Sequence, residues 1–250
     1  MQLIQITPIP ISHEIMLHND LGIIILEAID RSQIEVQNGD ILVVTHKIVS
    51  KAEGRVVELD SITPSTKAIS MAEEHDKDPR IMELILKESS QILRAKDGII
   101  ISETRHGFVC ANAGVDQSNV KGDTAVLLPL VPDESADRIR CVVKNKAGKE
   151  VAVIITDTFG RTFRNGQTNV AIGIAGIKPI KSYVGTYDMY GKKLRVTEIA
   201  VADEIASASE LVMGKAEGTP VAIIRGYNFE KESEASIKSL LRAKDRDLFR

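Results

Sequence analysis

The segment "VAVIITDTFGRTFRNG", residues 151–166, places an apolar run directly before an aspartate, a threonine and two arginines. Asp157 and Thr158 carry oxygen donors of the kind that Mg²⁺ or Mn²⁺ takes beside nucleotide phosphates, because these hard cations prefer oxygen. Arg161 and Arg164 carry guanidinium groups, which bind phosphate or carboxylate oxygens in pairs. An aspartate at the end of a strand is equally typical of a plain turn. Strand position alone therefore leaves the turn and the metal ligand as open alternatives.

A second polar segment, "NAGVDQSN" at residues 112–119, contains Asp116 among amides and a glycine. Two aspartates that face one cleft suffice to bind an oxygen-ligated ion, although this composition is also that of an ordinary turn. In the third segment, "THKIVSKAEG", Lys51 could contact phosphate as a point charge, against the alternative of a solvated lysine. His46 is the one histidine within a polar cluster. The residues alone therefore leave a site for phosphate and a divalent ion open beside the alternatives of plain turns and a solvated lysine.

The elements that must position these residues follow from the hydrophobic pattern. Apolar runs predict buried strands at residues 41–44, 151–157 and 221–225, and a hairpin on either side of residues 105–107. Helices are predicted over residues 64–75, 78–93, 133–147, 196–213 and 233–249. The fold class expected is mixed α/β, with mixed sheets flanked by helices. A P-loop or regular Rossmann fold is not expected, because neither phosphate-binding glycine motif is present and the hairpin interrupts any βαβ alternation.

Composition limits the classes of function. The chain has 250 residues, 43% hydrophobic content and a net charge of -3, so it can bury a sizeable core but lacks the basic excess of a nucleic-acid-binding protein. No apolar run approaches the roughly 20 residues that span a bilayer, and the start lacks a signal peptide's features, so a cytoplasmic protein is expected. Cys110 and Cys141 are expected to be small core residues. Asp203, Glu204 and Glu210 are expected to form a solvated helix face.

Four segments carry a family resemblance: "HKIVSKAEGR", "NAGVDQSN", "ITDTFGRTFRNGQTNVAIGIAGIKPI" and "VADEIASASELVMGKAEGTPVAIIRGY". Together they resemble the coenzyme F420-0:L-glutamate ligase family, GTP-dependent enzymes that add γ-linked glutamates to a deazaflavin coenzyme. The resemblance runs from "TPIPI" to "IIRGY", essentially the whole chain. It implies a single ligase domain over residues 1–250, built as two intertwined lobes, and a homodimer.

The resemblance also implies ligands. Asp116 and Asp157 would bind one divalent ion, Mg²⁺ or Mn²⁺, and Thr158 would help to bind a second, with K⁺ as a further candidate ion. The residues implied to contact GTP are Pro8, Ile9, Pro10, Ile11, His46, Lys47, Lys51, Asn119, Met213, Gly214, Lys215, Ala216, Glu217, Gly218, Thr219 and Pro220. Lys215 departs from the family pattern, since some relatives place a carboxylate or amide ligand of the second ion there. Because an ammonium cannot ligate a cation, either Glu217 or water replaces that ligand, or the lysine neutralises phosphate.

The implied reaction transfers the γ-phosphoryl group of GTP to the lactyl carboxylate of coenzyme F420-0. The amine of L-glutamate then attacks the acyl phosphate, and further glutamates follow. Asp116 and Asp157 are the expected catalytic carboxylates, and Arg161 and Arg164 are predicted to bind anionic groups of the substrates. Two alternatives stay open: an amide ligase for another pterin-like or folate-like acceptor, and a non-catalytic nucleotide-binding module.

Overall fold

The computed structural model describes residues 3–248 and shows the predicted mixed α/β fold. The strands are β1 Gln5–Ile9, β2 Ile41–Thr45, β3 Val56–Glu58, β4 Ser89–Lys96, β5 Ile99–Thr104, β6 Val109–Ala111, β7 Thr124–Val126, β8 Ala152–Arg161, β9 Arg164–Ala175, β10 Lys181–Ser182, β11 Glu198–Ile199 and β12 Val221–Arg225. The helices are α1 Leu21–Arg31, α2 His46–Ala52, α3 Thr66–His75, α4 Pro79–Glu88, α5 Pro132–Ala147 and α6 Val201–Met213. Within this described part, no helix is both long and apolar enough to cross a membrane.

The main sheet has the strand order β1-β12-β2-β8-β9, in which only β2 and β8 run parallel. Every residue from 41 to 44 and from 152 to 155 is fully buried. Such continuous apolar runs are typical of strands covered on both faces. Helix α5 packs on β8 and β9, while α6 packs on β9, β12 and β2. The parallel pair therefore presents its two carboxyl ends at one edge of a rigid, covered sheet.

Strand β8 is longer than the sequence predicted. Its last pair with β2 joins Thr156 to Thr45, but the strand continues through Asp157 to Arg161 because β9 pairs with it along that whole length. The residues expected to form a loop are thus a two-stranded hairpin, with Phe163 at a positive φ of +62° in its turn. Asp157 lies beyond the edge of the parallel pair, as expected, but within a strand rather than after one.

A second hydrophobic core lies beside the main one. Helices α3 and α4 pack together, and the core includes Leu59, Met82, Ile85 and Ile100. Asp78 caps α4 through the Arg80 backbone N–H, with Pro79 in the first turn, as predicted. The expectation of a helix to residue 93 is wrong, since α4 ends at Glu88 and the next eight residues form β4. Those residues pair with β5, so sheet pairing overrides the helical pattern.

The C-terminal helix predicted over residues 233–249 is also wrong. The described residues form only two short 3₁₀ turns, at Ile237–Leu240 and Lys244–Arg246, and Phe249 lies outside the described part. Asp133 at the start of α5 explains the difference, because its carboxylate accepts hydrogen bonds from the Ser236 hydroxyl and the Ile237 N–H. Tertiary anchoring of this segment replaces the regular helix.

Two smaller expectations need correction. Cys110 is buried as expected, whereas Cys141 is exposed on α5. The helix predicted from residue 196 begins at Val201, since residues 198 and 199 pair with β10.

Candidate functional site

A cavity of about 810 Å³ opens at the carboxyl edge of β2 and β8. Its walls include the start of α2, the end of α6, the loop at 112–119 and the loop at 213–220. A volume in this range is typical of sites for small molecules and cofactors. Because its walls come from elements distant in the sequence, the fold alone brings the predicted polar segments together.

Most of the predicted site residues line this cavity: Ile11, His46, Lys47, Lys51, Asp116, Asn119, Asp157, Thr158, Met213, Gly214, Lys215, Ala216, Gly218, Thr219 and Pro220. The others lie outside its described wall: Pro8, Ile9, Pro10, Arg161, Arg164 and Glu217. Pro8 and Ile9 belong to β1 and pair with β12, which leaves Ile9 in the main core.

Asp157 lies on strand β8, where a backbone hydrogen bond fixes its side chain at the cavity wall. Its Oδ1 accepts the Thr158 backbone N–H at 2.7 Å, and its side chain is only 13% exposed. The Nε2 of His46, the first residue of α2, lies 3.2 Å from the same oxygen without the alignment of a hydrogen bond. Burial, reinforced by the charge of Asp157, raises the pKa of the Cys110 thiol to about 12. The Cys110 thiol is therefore neutral beside the Asp157 carboxylate.

Asp116 is held differently. Its backbone pairs with Val126 through two hydrogen bonds, and its Oδ2 lies 2.8 Å from the Lys47 ammonium. Ser118 donates both its N–H and its hydroxyl to the carboxylate. Burial alone would raise the pKa of Asp116, but the bonds from Lys47 and Ser118 outweigh it, and the net effect is a lowered pKa. Asp116 is therefore an anion at neutral pH whose charge the protein already compensates.

Three buried polar atoms on the cavity wall lack a hydrogen-bond partner within the described structure: His46 Nε2, Asn112 Oδ1 and Thr156 Oγ1. Buried polar groups are normally paired, so this grouping fits a site completed by a bound molecule or ion. The backbone of the cavity wall that precedes Asp116 has positive φ at three successive residues, Asn112, Ala113 and Gly114. Asn112 and Thr156 were missed as site residues, although both belong to the two polar segments singled out from the sequence.

The chemistry of this donor set suits an oxygen-ligated divalent ion, because the orphaned oxygens of Asn112 and Thr156 line the same cavity as the Asp116 and Asp157 carboxylates. No cluster of three or more His, Cys, Asp or Glu side chains is arranged to hold a metal within residues 3–248. Any such ion would therefore need oxygens from other groups, as Mg²⁺ does when it keeps waters and phosphate oxygens.

Lys215, on the loop at 213–220, lines the same cavity and contacts three polar side chains. Its Nζ lies 2.7 Å from Thr158 Oγ1, 2.9 Å from Glu210 Oε1 and 3.4 Å from Asn169 Oδ1. The backbone carbonyl of Lys215 accepts the Asn119 amide at 3.1 Å, which links the two loops across the cavity.

Glu217 does not join this group. Its Oε2 accepts the Ala216 backbone N–H at 2.8 Å, and the carboxylate lies against Gly214, so it turns back onto its own loop.

The acidic face of α6 is not simply solvated, as the sequence predicted. Glu210 accepts the Asn169 side-chain N–H at 2.6 Å and faces the cavity, while Asp203 accepts the Ala171 backbone N–H at 2.9 Å. Of the three acidic residues, only Glu204 is exposed. Helical periodicity could not reveal this, because the partners are on β9, which packs along α6.

The two arginines lie at the exposed tip of the β8–β9 hairpin. Arg161 donates to the backbone carbonyls of Asn165 and Gly166 within the hairpin. Gly160, the residue before it, lines the cavity. The tip therefore borders the cavity entrance, and the role of both arginines in binding substrate anions stays a prediction.

Comparison with known proteins shows that the chain is similar to glutamate ligases. The family model described as F420-0:Gamma-glutamyl ligase matches residues 11–226. The chain is 48% identical over 234 residues to a protein named Coenzyme F420:L-glutamate ligase from Methanothermobacter thermautotrophicus, with 93% of each chain covered. It is 43% identical to the protein of that name from Methanopyrus kandleri, covering 99% of this chain and 98% of the relative. For the Methanocaldococcus jannaschii protein the identity is 45%, with 88% of each chain covered.

Proposed function

We propose, since this chain belongs to the F420-0:gamma-glutamyl ligase family, that it joins the amine of L-glutamate to the lactyl carboxylate of coenzyme F420-0 and then adds further γ-linked glutamate. We further propose that GTP supplies the energy: its γ-phosphoryl group moves to the lactyl carboxylate and GDP leaves, and the glutamate amine then displaces phosphate from the acyl phosphate to form the amide. The observation that carries the proposal is the cavity at the β2–β8 edge, in which Asp116 and Asp157 meet buried polar atoms without partners.

In this proposal, the chain's own residues bind and orient the reactants. Lys51 lines the cavity beside His46 and would contact phosphate oxygens as a point charge. Asn119 and the loop at 213–220 would contact the nucleotide from the other side. Arg161 and Arg164, next to the entrance, would hold the anionic groups of the acceptor or the incoming glutamate. Holding carboxylate and phosphate in line is the main task, because phosphoryl transfer depends mostly on positioning and charge stabilisation.

Asp116 and Asp157 would hold a Mg²⁺ or Mn²⁺ ion, with K⁺ as a further candidate cofactor elsewhere in the site. When bound, a divalent ion offsets the negative charge on the phosphate oxygens. Asp157 contributes a charge that lies among buried groups, and Asp116 contributes one that Lys47 keeps ionised. The two carboxylates thus differ in what they offer the ion, although both face the same space.

Product analysis tests the proposal. The protein is incubated with GTP, Mn²⁺ or Mg²⁺, L-glutamate and coenzyme F420-0, and both GDP and the mass of the coenzyme are measured. The expected result is GDP together with a glutamate-sized mass gain. GDP without that gain favours ligation to another pterin-like or folate-like acceptor, and nucleotide binding without turnover favours a non-catalytic module.

We also propose that the protein forms a homodimer. The segment between β10 and β11 exposes large apolar side chains, including Tyr187, Met189, Tyr190 and Val196. Exposed apolar groups concentrated in one segment are typical of protein interfaces. Light scattering is expected to give twice the chain mass, and a monomer for the Tyr187→Ser, Tyr190→Ser double variant. A monomeric native protein would contradict the proposal.

A further inference from the structure

We infer that the ammonium group of Lys215 is a built-in cation that takes the place of a second metal ion, so that this protein uses a single divalent ion. The inference rests on the proposed function, since it concerns how the same cavity binds nucleotide phosphate. Its basis is an oxygen cage formed by Thr158 Oγ1, Asn169 Oδ1 and Glu210 Oε1, which surrounds Lys215 Nζ at 2.7, 3.4 and 2.9 Å.

The hydrogen bonds of the cage have a consistent direction. The Thr158 hydroxyl donates to Asn169 Oδ1 at 2.8 Å, which leaves its lone pairs for the ammonium. The Asn169 amide donates to Glu210 Oε2 at 2.6 Å, which leaves Glu210 Oε1 for Lys215. An ammonium has three N–H donors and no acceptor, and each donor here has an oxygen to meet. The cage is therefore complete with the lysine in it.

A second metal ion does not fit the same cage. The oxygens that such an ion would take are already occupied by Lys215, since Thr158 Oγ1 accepts a hydrogen bond from its ammonium and Glu210 Oε1 forms an ion pair with it. A divalent ion inside the cage would have to displace the ammonium from all three of its oxygens. Glu217, the acidic residue that could have replaced a missing ligand, is turned onto its own loop. The single carboxylate of the cage, Glu210, is balanced by the single charge of Lys215.

The position of Lys215 also suits a direct role towards phosphate. Its side chain is 58% exposed although its ammonium is anchored, so the charge faces the open cavity. The Asn119 amide donates to the Lys215 carbonyl, which links the loop of the lysine to the loop that carries Asp116. A nucleotide phosphate in the cavity would meet both a divalent ion held by the aspartates and the lysine ammonium. The lysine charge does not depend on the free metal concentration.

The number of Mn²⁺ ions bound per chain tests the inference. Binding is measured by electron paramagnetic resonance titration in the presence of a non-hydrolysable GTP analogue. The native protein is expected to bind one ion, and the Lys215→Gln variant two, because glutamine removes the charge and offers an amide oxygen. The control is Lys178→Gln. Lys178 forms an ion pair with Glu230 at 2.8 Å and does not line the cavity, so this variant is expected to keep one ion.

Two ions in the native protein, or only one in Lys215→Gln, would overturn the inference and leave the proposed function standing. No Mn²⁺ in any of the three proteins would overturn the divalent ion of the proposed function, and this inference with it. A crystal of the native protein with Mn²⁺ gives a readout that needs no variant. The expected anomalous signal lies beside Asp157 and Asp116, and a peak within the oxygen cage would contradict the inference.

Discussion

Asp157 and Asp116 reach one cavity from two differently built supports. Asp157 lies on a strand of the main sheet, 13% exposed, next to a buried histidine that makes no aligned hydrogen bond to it. Asp116 lies on a loop, 39% exposed, and already has a lysine and two hydrogen bonds from Ser118. Asp116 has a counter-charge within the protein, whereas a cation bound in the cavity would supply one to Asp157.

Replacing each aspartate by asparagine tests whether the two carboxylates contribute differently to activity, and it is expected to give the largest effect. Asp157→Asn is expected to lower divalent-dependent GTP cleavage, in the presence of substrate, by about 100-fold or more, since charge effects are largest where water is excluded. Asp116→Asn is expected to cost about tenfold, because its site is more exposed and its charge is shared with Lys47. GDP formation measures both.

Circular dichroism and the thermal midpoint serve as the folding control, and Asp30→Asn, on the exposed face of α1 and outside the described cavity wall, serves as the matched substitution. A fully active Asp157→Asn enzyme would remove that residue from the ion site. An equal loss for both variants would show that the two supports do not differ in function.

The backbone of the Asp116 loop gives a second test, through stability. Gly114 has a φ of +73°, and a Cβ there would lie 2.6 Å from the side chain of buried Leu128. Gly114→Ala is expected to lower the free energy of unfolding by about 3 kcal/mol, from backbone strain and overpacking together. Gly122→Ala is the control, with a φ of +68° and open space, and is expected to cost about 1 kcal/mol.

Urea unfolding midpoints measure the two losses. Equal losses would mean that the contact with Leu128 does not set the shape of this loop. A larger loss for Gly122→Ala would contradict the expectation that the close contact at Gly114 makes its substitution the costlier of the two.

The pH dependence of the free energy of unfolding should show the opposite environments of Asp116 and Asp203, and it is the smallest of the effects expected here. The pKa of Asp116 is lowered, because Lys47 and Ser118 outweigh burial, so its contribution is present above the ordinary value of about 3.9 and is lost as the pH falls through the lowered value. Burial raises the pKa of Asp203, so ionising it costs stability as the pH rises from about 3.9 through that raised value.

Asp116→Asn is therefore expected to be less stable than the native protein at pH 7, with a difference that disappears at low pH. Asp203→Asn is expected to be more stable at pH 7, and this gain also disappears at low pH, where the native carboxyl is protonated. Thermal midpoints between pH 3 and 7 measure both trends. Trends of the same sign would contradict the two opposite environments.

Local patterns predicted a large part of the fold. The buried strands near residues 41–44, 152–156 and 221–225, the cap of α4 and the end of α6 all follow from apolar runs, turn residues and capping residues. The same reading failed where distant pairing decides the structure. Residues 89–93 join a sheet with β5, and residues 157–161 join one with β9, in spite of a helical pattern in the first and a loop-like composition in the second.

The sequence by itself singled out polar segments that line one cavity, because aspartate, threonine and lysine follow apolar runs there and strand ends are where α/β folds place ligand groups. Only the tertiary structure decided how those groups are paired. Lys47 meets Asp116, and Lys215 meets Thr158 and Glu210, through contacts between segments far apart in the chain. Periodicity records whether a side chain is buried, but the partner of a charge depends on which elements pack together. For that reason the residue types were visible in the sequence, while the partners of Asp116, Asp157 and Lys215 were not.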